Sequence, residues 1–346
     1  MSINKKTKGI NVAINGFGRI GRSAFKALLD KKNSNFNIIA INDLTDTKTL
    51  AHLLKYDSVY GNYGRKVEFS KDSLTVNGKK YKVFAYRDPQ ILPWKALSID
   101  IVLECTGFFR TKEDAFKHIK AGAKKVILSA PGKGGGVKTI VLGVNENKLS
   151  KSDKIVSMAS CTTNCLAPIT EVVRQNFGIA KAIMTTIHSY TTDQNIVDGP
   201  HQDLRRARAA ATNIVPTTTG AAIATAETIP SLKGKFDGMA VRVPVLVGSI
   251  TDAVYITKKN TNESKVNQVF KKASRSAQFK NYISVTEEPI VSSDIIGNPS
   301  SAIVDLALTK VIGGNLVKVV AWYDNEWGYS NRLADLVEYI WKKRLI

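Results

Sequence analysis

Cys161 and His188 are the residues whose types and positions best fit nucleophilic chemistry on a carbonyl carbon. Cys161 stands in the run Ser-Cys-Thr-Thr-Asn-Cys, where the pattern predicts the end of a strand and the start of a helix. The dipole at a helix start favours the thiolate, and cysteines in such sites reach pKa values of about 3.5 to 7.5. His188 ends a predicted strand over 182–187 and could accept the thiol proton. From the residues alone, Cys161 is either a nucleophile or a buried structural cysteine, and His188 is either its base or a hydrogen-bonded core histidine.

The remaining cysteines and histidines give weaker signals. Cys165 follows Cys161 by one helical turn, deeper in the helix where the dipole has less effect, so we interpret it as structural. His52, His118 and His201 stand in helical or loop stretches that look solvent-exposed. Three cysteines and four histidines without ligand spacing predict no metal site. The odd cysteine count argues against a disulfide framework and favours a reducing compartment, so we expect a cytoplasmic protein.

A second motif, Gly16-Phe-Gly18-Arg-Ile-Gly21, follows one apolar run and precedes a helical pattern. In a dinucleotide-binding turn the first glycine allows the tight turn, the second lets the backbone approach a pyrophosphate, and the third lets the helix pack on the strand. Asp43 stands 22 residues after Gly21, at the end of the next apolar run, where a ribose-binding carboxylate is expected. Asp46 adds a second negative charge. The two carboxylates would repel a 2′-phosphate, so the sequence favours NAD over NADP.

The elements that must position these groups change in character near residue 158. Before it, short apolar runs alternate with helix-sized intervals, which is typical of buried parallel strands in βαβ units. The predicted strands there are 10–14, 37–41, 99–103, 125–128 and 139–142, with a hairpin insertion over 67–85. After it come a helix over 161–177, strands rich in Val, Ile and Thr, and a long polar loop over 191–219.

The expected fold class is therefore α/β, with a Rossmann-type dinucleotide-binding domain followed by an α+β catalytic domain that contains a mixed sheet. We place the NAD-binding domain over 1–158 and the catalytic domain over 159–325. The C-terminal helix, over 326–346, is expected to return to the NAD-binding domain.

Composition narrows the function classes. Hydrophobic residues make up 43% and charged residues 23%, which excludes a mainly disordered chain. The most apolar stretch, 240–256, is interrupted by Arg242 and Asp252, so we expect no membrane span, and the N-terminus predicts no export signal. The net charge of +21 makes a nucleic-acid-binding protein an alternative of another class. Its lysine pairs, from Lys5-Lys6 to Lys342-Lys343, are spread evenly, which favours a solvated surface and only weak, non-specific, salt-dependent binding to nucleic acid.

Seven motifs resemble the phosphorylating glyceraldehyde-3-phosphate dehydrogenase family over essentially the whole chain. They lie at 15–21, 129–131, 159–164, 188–192, 203–206, 216–220 and 322–327. The Ser-Cys-Thr-Thr-Asn motif is specific to that family and its close relatives. The resemblance implies the oxidation of D-glyceraldehyde 3-phosphate with NAD and inorganic phosphate to 1,3-bisphosphoglycerate, by a homotetramer. A relative that acts on erythrose 4-phosphate shares the Cys/His core, and residue spacing does not separate the two.

The resemblance also implies a role for each matching residue. Cys161 becomes the nucleophile and His188 its base. The implied cofactor contacts are Gly16, Gly18, Arg19, Ile20, Gly21, Asp43 at the adenine ribose, Arg87, Ser129, and Asn325 at the nicotinamide amide. The implied contacts of the substrate phosphate are Thr191 and Arg242. The implied contacts of the attacking inorganic phosphate are Ser160, Thr162, Thr219 and Gly220, with Arg206 helping to bind anions between the two sites.

Overall fold

The computed structural model describes residues 9–31 and 35–346, so Lys5 and Lys6 lie outside the described part. The chain divides into two compact units. The first comprises the described residues up to Lys138, together with Leu149–Met158 and Ser330–Ile346, and the second comprises Thr139–Lys148 and Ala159–Tyr329. Within the described ranges, no helix is long and apolar enough to cross a membrane.

A sheet with a parallel centre forms the first unit. The strands of this unit are β1 (Ile10–Asn15), β2 (Phe36–Asn42), β3 (Tyr56–Asp57), β4 (Gly61–Asn62), β5 (Val67–Ser70), β6 (Ser73–Val76), β7 (Lys79–Phe84), β8 (Ile101–Glu104), β9 (Lys125–Leu128), β10 (Lys138–Thr139) and β11 (Ile155–Ser157). All of them except β3 and β4, which form a separate two-stranded ribbon, belong to one sheet. The spatial order is β10-β11-β9-β8-β1-β2-β7-β6-β5, and β3 pairs only with β4. The predicted hairpin forms, with both Asn77 and Gly78 at positive φ as a two-residue turn requires.

The helices of this unit are α1 (Arg19–Asp30), α2 (Thr47–Lys55), α3 (Lys112–Lys120) and most of the C-terminal helix (Trp327–Lys342). Side chains cap two of them: Asp46 accepts from the amide of Thr49, and Thr111 accepts from the amide of Asp114. No side chain caps α1, because its N-cap residue is Gly18. The uncapped start of α1 is the feature that a phosphate-binding helix needs.

One predicted strand is wrong. The stretch 139–142 was expected to be a buried parallel strand, but only Lys138–Thr139 pairs, at the sheet edge, and turns follow. Ile140 is fully buried, which explains the apolar signal. The side chain of Asn145 accepts from the amide of Val141 at 2.8 Å and donates to the carbonyl of Thr139 at 2.9 Å, so a side chain takes the place of a neighbouring strand.

A mixed sheet with helices on one face forms the second unit. Its elements are α4 (Cys161–Phe177), β12 (Ile179–Ser189), β13 (Val215–Thr218), α5 (Ala221–Thr228), β14 (Phe236–Val243), β15 (Ser249–Thr257), α6 (Glu263–Ala273), β16 (Ile283–Thr286), β17 (Ala302–Asp305), β18 (Lys310–Ile312) and β19 (Leu316–Tyr323). The C-terminal helix, α7, is Trp327–Lys342. The sheet order is β13-β14-β12-β15-β19-β17-β16, with β18 beside β19. Strand β12 runs parallel to β14 and antiparallel to β15, as the mixed-sheet prediction requires.

Helix α4 has the bounds that the sequence predicts. It begins at Cys161 and ends before Gly178, whose φ of 65° suits a glycine. Leu166, Ile169 and Val173 bury one side of α4 in a core shared with α5, α6 and the sheet. The long polar loop follows β12, and residues 190–214 contain neither helix nor strand.

Candidate functional site

The turn before α4 presents the sulfur of Cys161. Ser160 caps the helix, because its Oγ accepts from the amide of Thr163 at 3.1 Å. Ala159 has a φ of 55°, a left-handed conformation that its Cβ disfavours. The hydroxyl of Tyr329 donates to the carbonyl of Ala159 at 3.1 Å. Strained backbone therefore holds Cys161 at the first position of the helix, where the sequence places it.

His188 lies directly beside this sulfur. Its Nε2 is 3.3 Å from Sγ of Cys161, and the imidazole is buried. Its Nδ1 is 2.6 Å from the carbonyl oxygen of Ser189 and 3.0 Å from Nη1 of Arg242. We assign the hydrogen to Nδ1 because the carbonyl oxygen is the closer of the two and can only accept. The ring of Tyr323 contacts the imidazole edge to face, with centroids 5.9 Å apart. Nε2 is therefore the acceptor that faces the thiol, the arrangement that a general base needs.

The protonation states of this pair differ from the expectation. Burial, assisted by the charge of Arg242, lowers the pKa of His188 to about 3. Burial raises the pKa of the Cys161 thiol, although Arg242 and the amides of Thr162 and Cys161 act in the opposite direction. The sequence predicted a lowered pKa for the Cys161 thiol, and this prediction is wrong. The loss of water around the thiolate raises the pKa by more than the amides at the helix start and Arg242 lower it. Burial therefore disfavours the charged form of each of the two groups.

Arg242 and Thr191, the predicted holders of the substrate phosphate, come together next to this pair. The register of β12 and β14 pairs His188 with Arg242. Nη1 of Arg242 donates to the carbonyl of Ser189 at 2.9 Å and to Oγ1 of Thr191 at 3.1 Å. Its Nε is buried and has no hydrogen-bond partner. A buried guanidinium N–H without a partner is costly, so this position favours an anionic ligand.

Asp193 belongs to the same cluster and was not predicted from the sequence. Its carboxylate accepts from the hydroxyl of Thr191 and, at 2.7 Å, from Nη1 of Arg206. Arg206 also donates to Oγ1 of Thr217 and to the carbonyl of Thr218. Arg206 is therefore held in a network and is not a solvated side chain. The sequence offers one signal that could have found it. Asp193 lies in a loop rich in Thr and Arg, where a carboxylate is expected to pair with a nearby cation.

The four residues predicted for inorganic phosphate lie at two helix starts. Ser160 and Thr162 belong to the start of α4, and the hydroxyl of Thr162 is 2.9 Å from that of Tyr323. Thr219 and Gly220 precede α5, where Oγ1 of Thr219 accepts from the amide of Ala221 at 3.2 Å. No side chain provides a helix cap at Gly220. Both helix starts carry hydroxyl groups beside N–H groups, a donor set suited to anions.

Asn325 has a fixed orientation. Its Oδ1 accepts from Oγ of Ser189 at 3.0 Å, from the amide of Gly248 at 3.1 Å and from Oγ of Ser249 at 3.0 Å. The side chain is almost fully buried. Since three donors surround the oxygen, the amide nitrogen points away from them and offers N–H groups to a ligand such as a carboxamide.

The glycine turn of the first unit fits a dinucleotide. Gly16 has a φ of 89°, and a Cβ there would come within 2.7 Å of the amide nitrogen of Thr106. A Cβ on Gly21 would lie 2.0 Å from the carbonyl oxygen of Gly16. A Cβ on Gly18 would meet nothing within 4 Å. Gly16 and Gly21 are thus required by packing, whereas Gly18 leaves open space over the uncapped start of α1.

The other predicted cofactor residues follow the carboxyl ends of strands or begin α1. Oδ2 of Asp43, just after β2, accepts from the amide of Phe17 at 2.6 Å, so this carboxylate also braces the glycine turn. The half-buried Arg19 forms an ion pair with Asp57 at 2.8 Å, and Ile20 beside it is half-buried. Arg87, which follows β7, is exposed, and Ser129, which follows β9, is half-buried. The carboxyl edge of a parallel sheet is where dinucleotides bind in such folds.

Known proteins resemble this chain over almost its whole length. Residues 10–112 match the model described as "Glyceraldehyde 3-phosphate dehydrogenase, NAD binding domain", and residues 160–325 match its C-terminal domain. Glyceraldehyde-3-phosphate dehydrogenase 2 of Streptomyces avermitilis is 55% identical over 332 residues, which cover 96% of this chain and 98% of that protein. The glyceraldehyde-3-phosphate dehydrogenases of Thermotoga maritima and Geobacillus stearothermophilus are 56% and 52% identical, over 96% and 97% of this chain and 99% of each relative.

The chain belongs to the glyceraldehyde-3-phosphate dehydrogenase family. Membership confirms three predictions: the family itself, the Rossmann-type domain followed by an α+β domain, and NAD as the cofactor of an NAD-dependent dehydrogenase.

One prediction about the burial of the histidines is wrong. His118 was expected to be exposed, but it is fully buried on the inner side of α3. The sequence of α3 is dominated by charged residues, so its apolar pattern gives no sign of burial. His118 is satisfied by Glu104 and Trp94, which lie on other elements. His52 is exposed, as expected, and His201 is half-buried in the long loop.

Proposed function

We propose that this chain oxidises D-glyceraldehyde 3-phosphate to 1,3-bisphosphoglycerate, with NAD and inorganic phosphate, as a step of glycolysis and gluconeogenesis. The observation that carries the proposal is the 3.3 Å approach of Cys161 Sγ to His188 Nε2 beside the unpartnered Nε of Arg242. A nucleophile, its base and an anion site within one cluster suit a phosphorylated aldehyde.

The first step forms a bond between Sγ of Cys161 and the aldehyde carbon. As the sulfur attacks, its proton passes to Nε2 of His188, 3.3 Å away. The aldehyde oxygen becomes an oxyanion, which the backbone N–H of Cys161 and the imidazolium stabilise. The oxygen then takes the proton from Nε2, which gives a neutral hemithioacetal. Thr191 and Arg242 hold the phosphate of the substrate meanwhile.

The second step is the oxidation. Nε2 of His188 accepts the hydroxyl proton while the hemithioacetal carbon loses a hydride and becomes a thioester. NAD, when bound, supplies the acceptor for that hydride. The amide of Asn325 orients the carboxamide of the cofactor, and Asp43 accepts hydrogen bonds from the adenine ribose. Gly16, Gly18, Arg19, Ile20, Gly21, Arg87 and Ser129 complete the proposed cofactor contacts.

The third step releases the product. An oxygen of inorganic phosphate attacks the thioester carbonyl, the carbon–sulfur bond breaks, and the leaving sulfur takes the proton from His188. The four residues Ser160, Thr162, Thr219 and Gly220 bind the attacking phosphate, with Arg206 between the two anion sites. Burial and Arg242 keep the pKa of His188 low, so the imidazolium gives up its proton readily.

A homotetramer is part of the proposal. Ile196, Val197, Leu204 and Ile214 of the long loop are all strongly exposed, Ile196 at 84%. Further apolar side chains are exposed on the sheet of the second unit: Ile183, Met239 and Ile312. Exposed apolar side chains in such number are typical of surfaces that other subunits cover.

The division of the chain into an NAD-binding domain (1–158), a catalytic domain (159–325) and a C-terminal helix (326–346) that returns to the first domain stays a prediction.

The decisive experiment follows NADH absorbance with D-glyceraldehyde 3-phosphate while inorganic phosphate is varied. The expected result is one NADH per subunit in a burst without phosphate, and continuous turnover that saturates with phosphate. Erythrose 4-phosphate serves as the comparison aldehyde. Continuous turnover without phosphate, or a higher kcat/KM for the tetrose, would overturn the proposal in favour of the tetrose enzyme.

A further inference from the structure

A buried polar chain crosses the carboxyl edge of the first unit's sheet, and no step of the proposed mechanism uses it. Glu104 and His118 are 2% and 0% exposed. The indole nitrogen of Trp94 lies 3.0 Å from Nδ1 of His118, whose Nε2 lies 2.9 Å from Oε2 of Glu104. An indole N–H can only donate, so Nδ1 accepts and Nε2 carries the hydrogen. The direction of donation is therefore set from Trp94 through His118 to Glu104.

Glu104 collects donors from three more groups. Nδ2 of Asn15 donates to Oε2 at 2.5 Å, and the amide and hydroxyl of Thr106 donate to Oε1 at 2.8 and 2.5 Å. In the described part of the chain, His118 is the only basic residue within ion-pair distance of this carboxylate. A buried carboxyl group is tolerated only where N–H and O–H groups surround it, as they do here.

Strand register explains why these groups meet. Asn15, Asn42 and Glu104 are the last residues of β1, β2 and β8, and the register pairs Asn15 with both others. Nδ2 of Asn42 donates to Oδ1 of Asn15 at 2.7 Å. The chain of hydrogen bonds therefore joins the three strand ends from which the glycine turn, Asp43 and Thr106 emerge.

Thr106 connects this network to the glycine turn. Its amide nitrogen, held by Glu104, is the atom that a Cβ on Gly16 would approach to 2.7 Å. The loop after β8 is thus the wall against which the Gly16 turn packs. Any shift of the Thr106 amide displaces the backbone that approaches the pyrophosphate.

We propose that Glu104 is a positioning residue for the dinucleotide: its carboxylate, oriented by His118 and Trp94, fixes Thr106 against the glycine turn and so sets the affinity for NAD. This inference rests on the proposed binding of NAD at that turn. Glu104 acts through Thr106 and Asn15, and no step of the thiol chemistry uses it.

The test is Glu104→Gln, which keeps the shape but replaces one oxygen by an amino group. If the remaining oxygen faces Asn15 and His118, the amino group faces the amide of Thr106, which then loses its acceptor. We expect the Kd for NAD, measured by calorimetry, to rise about ten-fold, the effect of losing one hydrogen bond to a charged group. The rate of Cys161 alkylation and kcat at saturating NAD should stay unchanged.

Lys125→Met is the matched control. Lys125 is 1% exposed and begins β9, at the opposite end of the sheet from Glu104, where its ammonium group donates to the carbonyl oxygens of Ser150 and Asp153. This change should lower the Tm without altering the Kd for NAD. A Kd for NAD that stays constant in Glu104→Gln, or rises equally in both variants, would show that Glu104 is merely structural.

A second variant keeps the proposal testable if Glu104→Gln does not fold. Thr106→Val keeps the amide that donates to Oε1 but removes the hydroxyl, which donates to Oε1 and accepts from the amide of Phe108 at 3.1 Å. It should raise the Kd for NAD by a smaller factor, whereas an unchanged Kd contradicts the proposal. If the unaltered protein itself fails to bind NAD in the calorimeter, the proposed function fails first. Tight NAD binding by all the variants would overturn the positioning role alone.

Discussion

Nη1 of Arg242 lies 3.0 Å from Nδ1 of His188, the ring nitrogen remote from Cys161. Neighbouring parallel strands set this distance, since their register pairs the two residues. The guanidinium charge lowers the pKa of His188 and acts to lower that of Cys161. One side chain therefore serves both the anion site and the protonation state of the base.

Replacing Arg242 should separate phosphorylated from unphosphorylated substrates. Arg242→Gln removes the charge but keeps a donor for Ser189. We expect kcat/KM for D-glyceraldehyde 3-phosphate to fall about 100-fold, the scale of a lost charge-assisted contact, and Arg242→Lys to lie between. For D-glyceraldehyde without phosphate the fall should be much smaller. Equal losses for both aldehydes would show that Arg242 does not bind the phosphate.

The two neighbouring cysteines provide a matched pair of variants. Cys161→Ser should abolish aldehyde oxidation and the NADH burst, while NAD binding and the circular dichroism spectrum stay the same. Cys165→Ser, in the fully buried core one helical turn away, should retain the burst and lower only the Tm. Normal turnover by Cys161→Ser would remove Cys161 from the mechanism.

His188→Asn should slow hydride transfer by about 100-fold or more, the usual scale for a missing general base. Pre-steady-state NADH formation measures this step directly. Alkylation of Cys161 by iodoacetamide at high pH should still proceed, because hydroxide can remove the thiol proton when no imidazole is present. A burst of unchanged rate would contradict the role of His188 as base.

His188 should also make the free energy of unfolding depend on pH. The folded-state pKa of His188 is about 3, below its ordinary value of about 6.5. Between these values the unfolded chain binds a proton that the folded protein does not, so the free energy of unfolding decreases as pH falls from 6.5 toward 3. His188→Asn should reduce this slope by up to about 1.4 kcal/mol per pH unit in urea titrations. His52→Asn, a change at an exposed histidine, is the control. Identical slopes for the unaltered protein and both variants would refute the effect of burial on the pKa of His188.

Asp43 should determine which dinucleotide is preferred. Asp43→Ala removes both the ribose acceptor and the acceptor for the Phe17 amide, whereas Asp43→Asn keeps one oxygen and loses the charge. Both variants should narrow the ratio of NAD to NADP affinity, and Asp43→Ala should bind NAD more weakly than Asp43→Asn. Calorimetric titration with each dinucleotide measures these affinities. An unchanged ratio would mean that Asp43 does not face the ribose.

Local signals predicted a large part of the fold. The bounds of α4 follow from Ser160 as its cap and Gly178 as its end, and the glycine turn follows from spacing alone. The stretch 139–142 misled the prediction because an apolar run does not show whether a strand or a side chain such as Asn145 satisfies its backbone. Local patterns carry information only about partners that are close in sequence.

By itself the sequence determined the nucleophile motif, the dinucleotide turn and the family, because each depends on residue types within a few positions of one another. Only the tertiary structure decided that His118 is buried, that Asp193 pairs with Arg206 and that burial raises the pKa of the Cys161 thiol. The burial of His118 and the raised pKa of the Cys161 thiol depend on water excluded by elements that are distant along the chain. The Asp193–Arg206 pair depends instead on how one irregular loop folds back on itself, since the Asp193 side chain remains 42% exposed. Desolvation is a property of the packed molecule, and no single segment encodes it.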